Sequence, residues 1–213
     1  MLHGPILELA TLPMAHPRCG AALLTQCAAS TIIRLSIDPT TLPAGTMSRA
    51  VAIDWLARPG AGVATQENRQ IGWNGLANYA GDLAVQWNVT VAPQDITEQA
   101  AIAVMGLLIH DLAQGEILQV LSIGSGGDYL VQVGGLKRPI QAESSGIRTD
   151  SNGSQSRARL SQKKTQVLMH SRAGFAAVTT FSHPQGDIVQ SYLHYVCKKP
   201  RKRKGKRKRK AKP

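Results

Sequence analysis

Two carboxylates, Asp128 and Glu143, bracket a segment that reads GDYLVQVGGLKRPIQAESSG. Its apolar residues alternate, it turns through Gly-Gly, and it alternates again, which is the pattern of a β-hairpin. In an antiparallel hairpin the numbers of paired residues add to a constant. A turn centred on Gly135-Leu136 sets Asp128 opposite Glu143. Tyr129, Val131, Val133, Ile140 and Ala142 then share one face, and Asp128, Leu130, Gln132, Gln141, Glu143 and Ser145 share the other. Like charges directly opposed in a sheet repel. A divalent cation, or a nearby Lys or Arg, resolves the conflict. Two carboxylates with open positions form the arrangement that holds Mg2+ against a phosphate, so the chemistry implied is metal-dependent phosphodiester cleavage. The plainer reading is a sheet with one wet face on which both acids are solvated, and a one-residue slip would part them.

The elements around the hairpin follow from pattern. DITEQAAIAVMGLLIHDLAQG predicts a helix with Asp95 as N-cap, Glu98 completing a capping box and Gly115 as the stop. EILQVLSIGS alternates as a strand, and the hairpin supplies two more, the second running from Pro139 to Ser145. TDSNGSQS is a polar loop. SRARLSQKKTQVLMHS is a basic amphipathic helix, with Arg157, Arg159, Lys163 and Lys164 on it. GFAAVTTFSH and DIVQSYLHYV are two further strands. The order from Asp95 onward is α-β-β-β-α-β-β, which predicts an α+β fold with a mixed sheet flanked by helices.

That order, with an Asp opening the second strand and a Glu on the third, resembles the restriction-endonuclease-like superfamily of PD-(D/E)XK nucleases over residues 95 to 196. The resemblance implies that Asp128 and Glu143 are catalytic and ligate Mg2+, and that Glu98 is an accessory acid. The family's Lys, two residues past the Glu, falls on Ser145 here. Some members supply it from the following helix, where Lys163 and Lys164 sit. Lys164 is four residues from both Leu160 and Leu168, which makes it the catalytic candidate. Lys163, Gln141 and Ser145 are accessory. The region also resembles a small bacterial family with a Glu-x-Ser-Gly strand end, here Glu143, Ser145 and Gly146, followed by a Lys-bearing helix.

Charge points the same way. The chain has 213 residues and a formal net charge of +12. Its last sixteen residues carry twelve of the 25 basic groups and no acid, which leaves 13 basic residues against 13 acidic ones in the body. Lys198, Lys199, Arg201, Lys202, Arg203, Lys204, Lys206, Arg207, Lys208, Arg209, Lys210 and Lys212 therefore predict a disordered arm that neutralises the phosphates of DNA or RNA. Residues 1–47 hold five of the prolines and read as a poorly ordered leader with one short helix near Ala21 to Leu35. Residues 48–197 read as one domain, in which SRAVAIDWLARPG suggests a short helix and GDLAVQWNVTVAP a strand. The three scattered cysteines predict neither zinc nor a disulfide framework. The apolar run near Ile102 to Ile109 is far short of a membrane span. A cytoplasmic, nucleoid-associated protein is expected. The rival expectation is a non-catalytic interaction module that docks a protein partner and is tethered to nucleic acid by its tail. Ser144 and Ser145 lack the surroundings of a nucleophile elbow.

Overall fold

The computed structural model describes residues 4–36, 47–56, 64–76, 91–121, 128–182 and 189–198. Among these residues nine strands form one mixed sheet: β1 (Ile6–Glu8), β2 (Ser48–Leu56), β3 (Thr65–Gly72), β4 (Gly115–Val120), β5 (Tyr129–Val133), β6 (Ile140–Glu143), β7 (Gly146–Thr149), β8 (Ala173–Ser182) and β9 (Val189–Cys197). The order across it is β1-β3-β2-β9-β8-β6-β5-β4, and β7 continues β6 along β8. The helices are α1 (Leu12–Ala15), α2 (Ala21–Ser36), α3 (Pro93–Ala113) and α4 (Ser154–His170). The protein is thus a mixed α/β fold with its sheet between helical layers.

The two faces of the sheet explain the layers. Phe175, Ala177 and Leu193 point with Tyr129, Val131 and Ala142 into a core closed by α2 and α3. Ala176, Val178 and Ile147 point the other way, under Leu160 and Val167 of α4. β8 is buried on both faces, as a central strand must be, and reads as a nearly continuous apolar run. α3 is apolar on all sides because α2 covers what the sheet does not. By length and composition it also passes as a membrane span, a test that a buried core helix meets equally well.

Several expectations change. Residues 6–36 are part of the fold: β1 pairs in parallel with β3, and Leu24, Cys27, Ala28, Ile32 and Leu35 of α2 are core residues. Residues 48–56 are a strand, because Val51 and Ile53 alternate inward and pair with β3 and β9. Of the strand expected at 81–93, all but the last three residues lie outside the described set, and Pro93 opens α3 instead. α3 begins with Pro93 after Ala92, without a side-chain cap, so Asp95 is not its N-cap and Glu98 is released from the capping box. Gln114, not Gly115, takes the left-handed position that ends α3.

His16 ties the N-terminal segment to this frame. It is fully buried. Its Nδ1 accepts the Ile117 N–H at 3.0 Å, which leaves Nε2 to donate to the Gly106 carbonyl at 3.0 Å. That pairing fixes a neutral tautomer. Burial lowers the His16 pKa below 6.5, against the bond to Gly106. The folded state therefore resists protonation, and stability present above pH 6.5 is lost as pH falls. His16→Leu is expected to cost about 1–3 kcal/mol by stranding the carbonyl and the N–H. Urea titrations at about pH 7.5 and about pH 5.5 check it, the deficit shrinking on the acid side because the variant has no such His to protonate.

Candidate functional site

The hairpin takes the register expected of it. Tyr129 pairs with Ala142, Leu130 with Gln141 and Val131 with Ile140. Gly135 supplies the positive φ of the turn, at 79°. The ladder ends at Tyr129 and Ala142; just beyond it the Asp128 N–H donates to the Ala142 carbonyl at 3.2 Å, and the Asp128 and Glu143 side chains converge on the α4 side of the sheet. What resolves the repulsion is Lys163. Its Nζ donates to Glu143 Oε2 at 2.8 Å and to Asp128 Oδ2 at 3.3 Å. The side chains of Glu143 and Lys163 are 6% and 12% exposed, and that of Asp128 is 42% exposed. Burial raises the Glu143 pKa above 4.5, with the Asp128 charge adding to it and Lys163 only partly offsetting it. Burial works to lower Lys163, but the bond to Glu143 and the Asp128 charge outweigh it, so the amine sits above 10.5 and stays an ammonium.

Lys163, not Lys164, enters the site. The buried stripe of α4 runs through Leu160 and Val167, whereas Leu168 is outside it. Lys163 and Lys164 flank that stripe on opposite sides. One reaches towards β5 and β6, the other towards β9 and β2, where it lies near Asp54 and His194. His194 Nε2 and Asp54 Oδ1 are 2.7 Å apart in a separate polar cluster. Burial lowers the pKa of His194, Asp54 opposes this, and Lys164 adds to it. Burial also lowers Lys164.

The accessory residues divide. Glu98 reaches from α3 to the bend between β6 and β7, accepting from Ser145 Oγ at 3.3 Å and from the Gly146 N–H at 3.1 Å. Ser145 thus touches Glu98 rather than standing in for the family's strand lysine. Gln141 shares the Glu143 face one turn of the pleat away and does not line the groove. Three contributors were not read from the sequence. The Ser144 N–H donates to Asp128 Oδ2 at 3.0 Å and aims the carboxylate. Arg159, read only as part of a basic helix face, lines the same groove of about 300 Å3. Asp150 fixes the start of α4: its Oδ2 accepts both the N–H and the Oγ of Ser156 at 2.8 Å, and these bonds hold its carboxyl low against burial. The preceding Asp-Ser-Asn-Gly run was the signal for it. Of the tail, only Lys198 is among the described residues.

Two carboxylates beside an open groove are the donor set that leaves a hard divalent cation further positions for water and phosphate; here Asp128 lines the groove and Glu143 does not. They already share one cation, the Lys163 ammonium. Among the described residues no third His, Cys, Asp or Glu joins them as a potential ligand. Comparison with known proteins finds no matching family model, curated protein or solved structure.

Proposed function

We propose that this chain is a nucleic-acid-associated phosphodiesterase of restriction-endonuclease-like architecture, with Asp128, Glu143 and Lys163 as its centre. The observation that carries the reading is the ammonium of Lys163 bridging the two carboxylates. The element order from α3 onward, α-β-β-β-β-α-β-β, departs from the expected one by the short β7, and it keeps the acids just before β5 and on β6 and the lysine on the helix that leads to β8. Asp128 and Glu143 would hold Mg2+, which on binding supplies a nucleophilic water and offsets charge on the phosphate. Lys163 acts as a fixed positive charge and a donor. Held by both acids, its ammonium is suited to orienting a water or a phosphate oxygen. Glu98 holds the bend beside Glu143. The tail, from Lys198 on, gathers polyanion with little regard to sequence.

A second reading has one observation in its favour. Lys163 already bridges the acid pair, as it would in a relative that binds without cutting. One assay separates the two. Plasmid and short labelled strands are incubated with Mg2+ or Mn2+. Cleavage by the wild type, reduced about 100- to 1,000-fold in Glu143→Gln and Lys163→Ala and retained within about threefold in Lys164→Ala, supports the enzyme. No cleavage, or equal cleavage by Glu143→Gln, leaves the binding protein.

A further inference from the structure

The proposed centre lies in a slot, and the shape of the slot bears on what can reach it. Glu98 of α3 stands on one side, Arg159 and Lys163 of α4 on the other, and Asp128 and Ser144 between. At 6% exposure the Glu143 carboxylate is recessed. A second slot of about 310 Å3 adjoins, formed by Ile147 of β7 with Gln155 and Gln162 of α4, and Arg159 is common to both. Each has the size of a small-ligand pocket. The Ser144 hydroxyl is buried, belongs to a residue of the first slot, and has no hydrogen-bond partner among the described residues. An unmet buried hydroxyl costs about 1–3 kcal/mol.

We infer, on the basis of the phosphodiesterase reading, that the substrate is an unpaired polynucleotide strand threaded through the two slots, with Ser144 and Arg159 holding the phosphate between adjacent nucleotides. Duplex DNA is stiff over about 50 nm, and its backbone does not fold into a recess a few side chains wide. An unpaired strand bends at little more than the cost of unstacking. The guanidinium of Arg159 gives a paired contact to a phosphate, and Ser144 adds a donor beside it. Gln155 and Gln162 offer amides to whatever base edge lies in the second slot.

The test measures binding in EDTA, so that no strand is cut. Fluorescence anisotropy follows a labelled single-stranded DNA, the RNA of the same sequence and the corresponding duplex. Salt is set at about 0.3 M, where contacts made by the tail are weakened. One or both single strands are expected to bind about tenfold more tightly than duplex, and the DNA and RNA arms tell which sugar is preferred. On the single strand alone, Arg159→Gln should lose about tenfold with an unchanged urea midpoint, and Ser144→Ala about threefold or more with a raised one, since it removes the unmet hydroxyl. Equal binding of single strand and duplex, or variants that bind single strand as the wild type does, overturns the inference. Cleavage of intact duplex as fast as single strand would also overturn it while the phosphodiesterase stands. Ser144-dependent single-strand binding with no cleavage in Mg2+ or Mn2+ would instead overturn the phosphodiesterase and leave a strand-binding slot.

Discussion

Lys163→Met is expected to destabilise the protein by about 3 kcal/mol near neutral pH, the lower end of what breaking one side of a buried ion pair costs. The reason is geometric. Among the described residues the ammonium is the one cation bonded to both carboxylates, at 2.8 and 3.3 Å. Without it Glu143, 6% exposed, keeps its charge beside Asp128, to which the Ser144 N–H donates. The 42% exposure of Asp128 limits the loss. The pH dependence has a definite sign. The folded pKa of Glu143 is raised above 4.5, so its contribution is fully present below that value and is lost as pH rises through the folded one. Removing Lys163 raises it further. The deficit of the variant should therefore be small in acid and grow towards neutrality. Divalent cations should reverse it: at a hundred times the dissociation constant, Mg2+ or Mn2+ adds about 2.7 kcal/mol, and more to the variant than to the wild type. Thermal melts across pH, with and without cation, check both. A deficit that ignores pH and metal would mean that Lys163 only packs against β6.

How much of this the sequence carries depends on the range of the interaction. The hairpin register was legible because period two, a Gly-Gly turn and two polar ends all agree, and each is local. The identity of the lysine was not. Lys163 and Lys164 flank the same stripe, and choosing between them requires knowing that Val167 rather than Leu168 meets Ala176 and Val178. β2 was misread because the Ser that opens it and a Pro-Gly after it imitate helix ends, while the alternation of Val51 and Ile53 needed the neighbouring β9 to give it meaning. α2 was half seen. Its place in the core depends on contacts such as Thr31 Oγ1 with the Ala100 carbonyl, 69 residues away, which no window of sequence contains. Glu98 was given to a capping box that α3 does not form, because nothing nearby in the chain announces the bend at Gly146.

That bend makes a second large effect predictable. A Cβ on Gly146 would stand 2.7 Å from the Thr97 carbonyl carbon and closer still to its oxygen, both main-chain atoms of α3. Neither side has room to yield. α3 is buried along most of its length, and β7 is held by its pairing to β8, with Gly146 opposite Thr179. Gly146→Ala should therefore cost about 3 kcal/mol, the upper end of overpacking in a close-packed interior. It should also act at the centre. The Gly146 N–H and the Ser145 hydroxyl both bond Glu98, and Glu143 lies only two residues before Ser145 on the same run of chain. On the phosphodiesterase reading, a displacement of about 1 Å there is enough to lower cleavage about 100-fold. Gly134→Ala is the control, since its Cβ would meet nothing nearer than 3.5 Å, and it should stay within about 0.5 kcal/mol of wild type. Urea midpoints and cleavage rates for the pair decide the matter. If Gly146→Ala matches Gly134→Ala in both, then α3 and β7 are not in contact through this glycine, and Glu98 has no part in shaping the acid pair.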